Sequence, residues 1–211
     1  MTSASEAASL LRAARVVPVL TIDDVGHAVP LAQALVAGGV ATLEVTLRTP
    51  AGAKAAEAIL AAVPEAVVGL GTVMSARDLD LARDLGVRFA FSPGATPDLL
   101  DAAARAGIAF VPGIGTASEL MAAVARGFGV VKLFPAAQLG GIGTLKALGG
   151  PFPEARFCPT GGIGEAELRD YLALPNVLAV GGSWLAPAAD VQAGRWDAIT
   201  ERARRAMAAA V

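Results

Sequence analysis

The run Val130-Val131-Lys132-Leu133-Phe134-Pro135 is a short apolar stretch with one lysine inside it. Bounded by Gly129 and Pro135, it reads as a buried strand. An ammonium taken into an apolar interior is expensive, so a lysine there either pairs with an acid or loses its proton. A deprotonated lysine is a nucleophile that forms Schiff bases with carbonyl compounds. The competing reading of the same run is a lysine at a strand end whose amine reaches water.

Seven more runs of this kind surround it, at 16–20, 41–47, 67–71, 89–92, 109–112, 157–159 and 177–180. Helix signals alternate with them. A helix is expected over 4–15, with Ser3 or Ser5 as its cap. Asp23-Asp24 can cap a second one reaching Ala37, with Val25, Val29, Ala32 and Val36 on its inner face, and Gly38-Gly39 ends it. Pro50, Ser75 and Thr96-Pro97 open three further helices. Thr116 with Glu119 matches a capping box. The last two are expected near 142–148 and 195–210. Strands that are almost continuously apolar are strands buried on both faces, and these belong to parallel βαβ units. Eight strands alternating with eight helices predict a single-domain (β/α)8 TIM barrel over residues 1–211, with an extra N-terminal helix over 1–15. An open doubly wound sheet is the alternative. It normally carries Gly-x-Gly-x-x-Gly after the first strand, where this chain has Thr21-Ile22-Asp23.

Composition narrows the function classes. Apolar residues make up 55% and charged ones 17%, the proportions of a well-buried globular chain. The formal charge of -2 and the lack of a basic run argue against nucleic acid and acidic membrane surfaces as partners. No apolar run approaches the length of a membrane span. The N-terminus, acidic at Glu6, lacks the basic region and apolar core of a signal peptide. Cys158 is the single cysteine, which rules out an internal disulfide and fits a cytoplasmic protein. With His27 the only histidine, a histidine metal cluster is excluded and a Ser-His or Cys-His relay is disfavoured.

In a barrel of this kind the chemistry collects at the C-terminal ends of the strands. Glu44 lies inside the second strand, and Arg48 at its exit. Thr42, Glu44, Thr46 and Arg48 share one face by the two-residue period. Two roles stay open for Glu44: half of a structural ion pair, or a general base beside a Schiff-base lysine. Thr160-Gly161-Gly162 and Gly181-Gly182-Ser183 follow the seventh and eighth strands. Backbone amides there can approach an anion closely, and phosphate sites in this fold form after these two strands. Cys158, beside Phe157, reads as a small core residue.

Seven segments, in this order, resemble one family. They are Glu44-Val-Thr-Leu-Arg-Thr-Pro50, Val68-Gly-Leu-Gly-Thr72, Phe91-Ser-Pro-Gly94, Val111-Pro-Gly-Ile114, Lys132-Leu-Phe-Pro135, Cys158-Pro-Thr-Gly-Gly162 and Val180-Gly-Gly-Ser-Trp-Leu185. They are similar to the 2-keto-3-deoxy-6-phosphogluconate (KDPG) aldolases and the wider group of 4-hydroxy-2-oxoglutarate (KHG) aldolases. The resemblance implies a class I aldolase of the Entner-Doudoroff pathway, a homotrimer without metal or other cofactor, acting on a small keto acid. Lys132 would form the Schiff base and Glu44 would carry protons, directly or through a water. Arg48 and Thr72 would hold the pyruvate carboxylate. Pro93 and Phe134 would shape the pocket around the three-carbon unit, and Thr160 would contact the hydroxylated part. Gly161, Gly162 and Ser183 would bind the phosphate. Gly115, Leu133 and Ala137-Gln138 depart from the commonest family pattern. An aldolase for unphosphorylated keto acids and a non-catalytic phosphate-binding barrel are the alternatives.

Overall fold

The apolar runs become short parallel strands, each followed by a helix that covers one of its faces. The computed structural model describes residues 3–210, with side chains from residue 5 onward. Residues 1, 2 and 211 of the expected domain, and the side chain of the expected Ser3 cap, lie outside what is described. The chain runs α1 (Ser3–Ala14), β1 (Val16–Leu20), α2 (Ala28–Ala37), β2 (Thr42–Thr46), α3 (Gly52–Ala62), β3 (Val67–Gly71) and α4 (Ala76–Asp84). It continues through β4 (Phe89–Phe91), α5 (Pro97–Ala106), β5 (Ala109–Val111), β6 (Gly113–Ile114), α6 (Ala117–Val124) and β7 (Val130–Leu133). The rest is α7 (Gly141–Gly149), β8 (Arg156–Phe157), α8 (Leu168–Leu172), β9 (Val180–Gly182), α9 (Ala188–Gln192) and α10 (Trp196–Ala209).

The expected closed eight-strand barrel is not what forms. The strands divide into a curled six-stranded parallel sheet, ordered β5-β4-β3-β2-β1-β9, and a three-stranded parallel sheet, ordered β6-β7-β8. The breaks fall at prolines, which have no N–H to give to a ladder. Pro112 separates β5 from β6. Just past it, the Gly113 N–H donates to the Ser92 Oγ at 3.1 Å instead of to a strand carbonyl. On the far side, Pro159 follows β8, and isolated bridges from Phe157 to Val177 and from Thr160 to Gly181 replace a continuous ladder. The run expected as an eighth strand at 177–180 enters a regular ladder only at Val180.

Local signals place the helices closely. Thr96 accepts from the Leu99 N–H at 3.2 Å, with Pro97 opening α5. Thr116 and Glu119 form the expected capping box of α6. Ser5 lies within α1 rather than capping it. Asp24 does cap, but it caps a 3-10 turn, Val25–His27, and α2 starts only after that turn. A 3-10 turn advances by a larger angle per residue than an α-helix, which rotates the following helix. The buried residues of α2 are therefore Ala28, Leu31, Ala32, Ala34 and Leu35, while Val29 and Val36 are half-buried.

Two-residue alternation sends each strand's side chains to two separate cores. Val131 and Leu133 point outward, into the layer between strands and helices. An inner core holds Val17, Phe89, Phe91, Val111, Val130, Cys158 and Leu178. Ala7 and Leu11 of α1 pack into that inner core, so this helix covers one end of it. Lys132, two residues after Val130, belongs to the inner face as well.

The outer layer is closed tightly where α2 meets α10. A Cβ on Gly38 would overlap the Ala203 Cβ and the Thr200 carbonyl oxygen, neither of which can swing aside. Gly38→Ala should therefore lower the unfolding free energy by about 1–3 kcal/mol, read as a shift in the urea midpoint. An unchanged midpoint would mean the two helices separate at little cost.

Candidate active site

Lys132 and Glu44 come from different sheets, 88 positions apart, and meet inside the molecule. Nζ of Lys132 donates to Glu44 Oε1 at 3.0 Å, with Oε2 at 3.4 Å. Both residues are nearly sealed from water, at 3% and 2% exposure. Removing one partner of such a pair strands a buried charge, at a cost of about 3–5 kcal/mol. The amine therefore does not reach solvent; the acid-paired reading of its strand is the one realised. Its other neighbours are aromatic: the ring centroids of Phe91 and Phe134 lie 5.1 and 5.4 Å from Nζ.

Room for the carboxylate comes from an atom that is missing. A Cβ on Gly71 would overlap Glu44 Oε1, so glycine at the end of β3 opens the slot that the carboxyl fills. The next residue, Thr72, has a left-handed φ of 63°. For a β-branched residue this is a strained conformation, with a cost of order 1–3 kcal/mol. The same device recurs across the site. A Cβ on Gly181 would overlap Thr160 Oγ1, and that hydroxyl donates to the Cys158 carbonyl at 3.3 Å.

A cleft of about 190 Å3 meets the pair through Phe134, though neither Lys132 nor Glu44 is among its lining residues. Six of the residues named from the sequence line it: Arg48, Phe134, Thr160, Gly161, Gly162 and Ser183. Phe134 joins the two parts of the site, lining the cleft and packing against Nζ. Gly161 and Gly162 have φ of 100° and 74°, which only glycine adopts freely. Thr72 and Pro93 are not among the cleft's lining residues. The Pro93 backbone instead packs where a side chain on Gly113 would be. Val19, Ile163 and Gly182 also line the cleft. Val19 and Ile163 carry no polar group that could mark them in a sequence. Phe91 belongs to the site too, and as one more core aromatic it carries no sequence signal. A larger cleft, about 350 Å3, lies around Lys146, Arg156 and Asn176 and shares no residue with this one.

These parts allow definite chemistry. A primary amine in an apolar setting can attack a carbonyl once it gives up its proton. The carboxylate in hydrogen-bond contact can accept that proton and pass it on. Arg48 offers a fork of donors to an anionic group at the rim. The backbone around Gly161, Gly162 and Ser183 suits a second anion. Cys158, in the same interior, is not poised to react. Burial pushes its thiol from an ordinary value near 9 up to about 12; the nearby Lys132 cation opposes the shift and Glu44 adds to it.

Comparison with known proteins yields consistent matches. Residues 7–202 match the family model described as "Aldolase: KDPG and KHG aldolase". A 2-dehydro-3-deoxy-phosphogluconate aldolase of Pseudoalteromonas atlantica is 54% identical, over 92% of this chain and 91% of that one. A KDPG aldolase of Legionella pneumophila, solved with pyruvate captured at low pH as a covalent carbinolamine intermediate, superposes with a TM-score of 0.91. Its identity is 43%, over 94% of this chain and 96% of that one. The KDPG aldolase of Zymomonas mobilis with 3-phosphoglycerate gives a TM-score of 0.89, again at 43% identity, over 95% and 96% of the two chains.

The thiol gives a signed pH prediction. In the folded protein Cys158 keeps its proton as pH rises from 9 to 12, while the unfolded chain loses it. The folded state then binds more protons, so stability falls with rising pH across that window and not below it. Three pKa units correspond to roughly 4 kcal/mol at the upper end. Urea unfolding between pH 9 and 12 should show a steeper loss for the native sequence than for Cys158→Ala; parallel curves would contradict a buried neutral thiol.

Proposed function

The chain belongs to the KDPG and KHG aldolase family, and we propose that Lys132 is its Schiff-base lysine and Glu44 its proton carrier. The protein is a lyase, cleaving 2-keto-3-deoxy-6-phosphogluconate to pyruvate and glyceraldehyde 3-phosphate. The single observation that carries the residue assignment is the buried Lys132–Glu44 contact of 3.0 Å, with Phe134 linking it to a cleft lined by Arg48 and the two glycine-rich turns.

The steps follow from that geometry. Nζ passes a proton to Glu44 and its free electron pair attacks the C2 carbonyl carbon. Glu44 returns the proton to the C2 hydroxyl of the carbinolamine, which leaves as water and gives an iminium, an electron sink. Glu44, again a carboxylate, takes the proton of the C4 hydroxyl. The electrons of that O–H bond form the aldehyde C=O, the C3–C4 bond breaks, and its pair moves through C3–C2 onto nitrogen, giving a neutral enamine. After the aldehyde leaves, Glu44 returns its proton to C3 and regenerates an iminium. Water adds at C2, pyruvate departs, and Lys132 is free.

The remaining roles rest on the family resemblance, and the cleft lining supports them for Arg48, Phe134, Thr160, Gly161, Gly162 and Ser183 but not for Thr72 and Pro93. Arg48 holds the pyruvate carboxylate by two hydrogen bonds, with Thr72 beside it. Phe134 and Pro93 shape the three-carbon pocket, and Thr160 meets the hydroxylated part. Gly161, Gly162 and Ser183 receive the phosphate; their place in the cleft and the left-handed glycine backbones support this. A homotrimer in the cytoplasm, acting in the Entner-Doudoroff pathway, completes the reading. The family resemblance supports the assembly. No helix among the described residues is long and apolar enough to cross a membrane.

Borohydride reduction in the presence of pyruvate, followed by peptide mass spectrometry, should place a reduced pyruvyl adduct on Lys132. Lys54 and Lys146, the other two lysines, should stay unmodified. A folded protein that forms no adduct would refute the assignment. Ser183→Ala should raise KM for the phosphorylated substrate roughly tenfold, about the loss of one hydrogen bond to a charged group, with less effect on 4-hydroxy-2-oxoglutarate. Equal effects on both substrates would remove the phosphate role from Ser183.

A further inference from the structure

Ser183 is exposed, lines the cleft and starts a 3-10 turn, Ser183–Leu185, directly after β9. So short a turn leaves its last carbonyls without helical partners. The Ala186 N–H donates to the Ser183 carbonyl at 3.2 Å, but no backbone N–H among the described residues donates to the Leu185 carbonyl. A side chain 17 positions further on reaches it instead. Nη1 of Arg202, in the middle of α10, donates to the Leu185 oxygen at 3.4 Å.

Arg202 is itself held in place. Its Nη2 donates to Asp190 Oδ2 of α9 at 2.8 Å, and Nε of Arg195 donates to the other carboxylate oxygen at 2.7 Å. These bonds, from Arg195 and then Arg202, keep the Asp190 carboxyl below the usual carboxylate range. The Arg202 side chain is 20% exposed and that of Asp190 13%, so water and salt screen the pair less than a surface pair. A guanidinium is a planar fork, so fixing one of its nitrogens on Asp190 sets the direction of the other. On its other side the turn is anchored by the Leu185 side chain, fully buried in the outer layer. The other two arginines of α10 do not touch this turn. Arg204 pairs with Glu201 on the same helix, and Arg205 pairs with Glu165.

We propose that Arg202, oriented by Asp190, is a positioning residue for the phosphorylated substrate: by holding the Leu185 carbonyl it fixes the turn from which Ser183 meets the phosphate. Arg202 touches no substrate and takes no part in proton transfer. Its effect falls on binding of the phosphorylated end and not on cleavage of the C3–C4 bond. The inference rests on the phosphate role of Ser183.

The test is Arg202→Lys, which keeps a positive charge beside Asp190 but replaces the fork by a single ammonium. KM for KDPG should rise about threefold, the loss of one modest hydrogen bond, with kcat and the KM for KHG unchanged. Arg204→Lys, on the same helix, should change none of these. Asp190→Asn, which keeps the shape of the side chain but loosens its hold on the guanidinium, should give the same phosphate-selective rise. In a Ser183→Ala background Arg202→Lys should add nothing, because the group it positions is gone. A merely structural link between α9 and α10 would lower the melting temperature and leave both KM values unchanged or raised alike. Either result overturns the proposal, as does an additive rise in the double variant. Ser183→Ala alone separates the two claims. A phosphate-selective rise there, with a flat Arg202→Lys, defeats only the role of Arg202. No selective rise in Ser183→Ala defeats the phosphate role of Ser183, and this inference with it.

Discussion

The ion pair between Lys132 and Glu44 is the constraint on which the rest of the molecule turns. It joins the three-stranded sheet to the six-stranded one through the interior, where neither charge has water to fall back on. Buried pairs of this kind contribute little net stability, because desolvation offsets most of the attraction. Their presence in an otherwise apolar core is better understood through chemistry. An amine that can lose its proton to a partner 3.0 Å away is a nucleophile in waiting. The same carboxylate, relieved of its charge, can later return the proton. One contact thus bridges the two sheets and, on the proposed assignment, supplies both groups that the aldol cleavage requires.

Several atoms that are absent matter as much as those present. Gly71 makes the slot for the Glu44 carboxylate, Gly181 makes room for the Thr160 hydroxyl, and Gly69 admits the Phe89 ring that steadies Phe91. In each case a Cβ would overlap the neighbouring side chain. The strained left-handed backbone at Thr72 sits directly after the first of these glycines. The inner core around the pair is apolar, and Cys158 within it is held protonated by burial.

Much of this was legible in advance, and the failures have identifiable causes. Capping residues act within a few positions of the chain, so Thr96, Thr116 and Glu119 performed as their spacing implied. Asp24 also capped as expected, yet the 3-10 turn it starts rotates α2 and brings Leu31 and Leu35 inward in place of Val29 and Val36. The strand count suggested closure into an eight-strand barrel. Prolines 112 and 159 instead interrupt the ladder and leave two sheets, because a strand pattern records which residues are buried and not which N–H groups find a carbonyl. Phe91 carried no signal, since a buried aromatic beside a buried amine reads like any other core residue.

By itself, the sequence determined what is encoded by residue type over short distances. That covers parallel strands alternating with helices, a lysine in one buried strand and a glutamate in another, glycine-rich turns after the later strands, and the ordered motifs shared with the aldolase family. The tertiary structure alone decided that Lys132 and Glu44 touch, that Phe91 faces the same nitrogen, and that Arg48 and Ser183 open onto one cleft. These are long-range facts. They depend on how two sheets curl toward each other and on which glycines let side chains close the remaining distance, and no spacing along a single strand can report them.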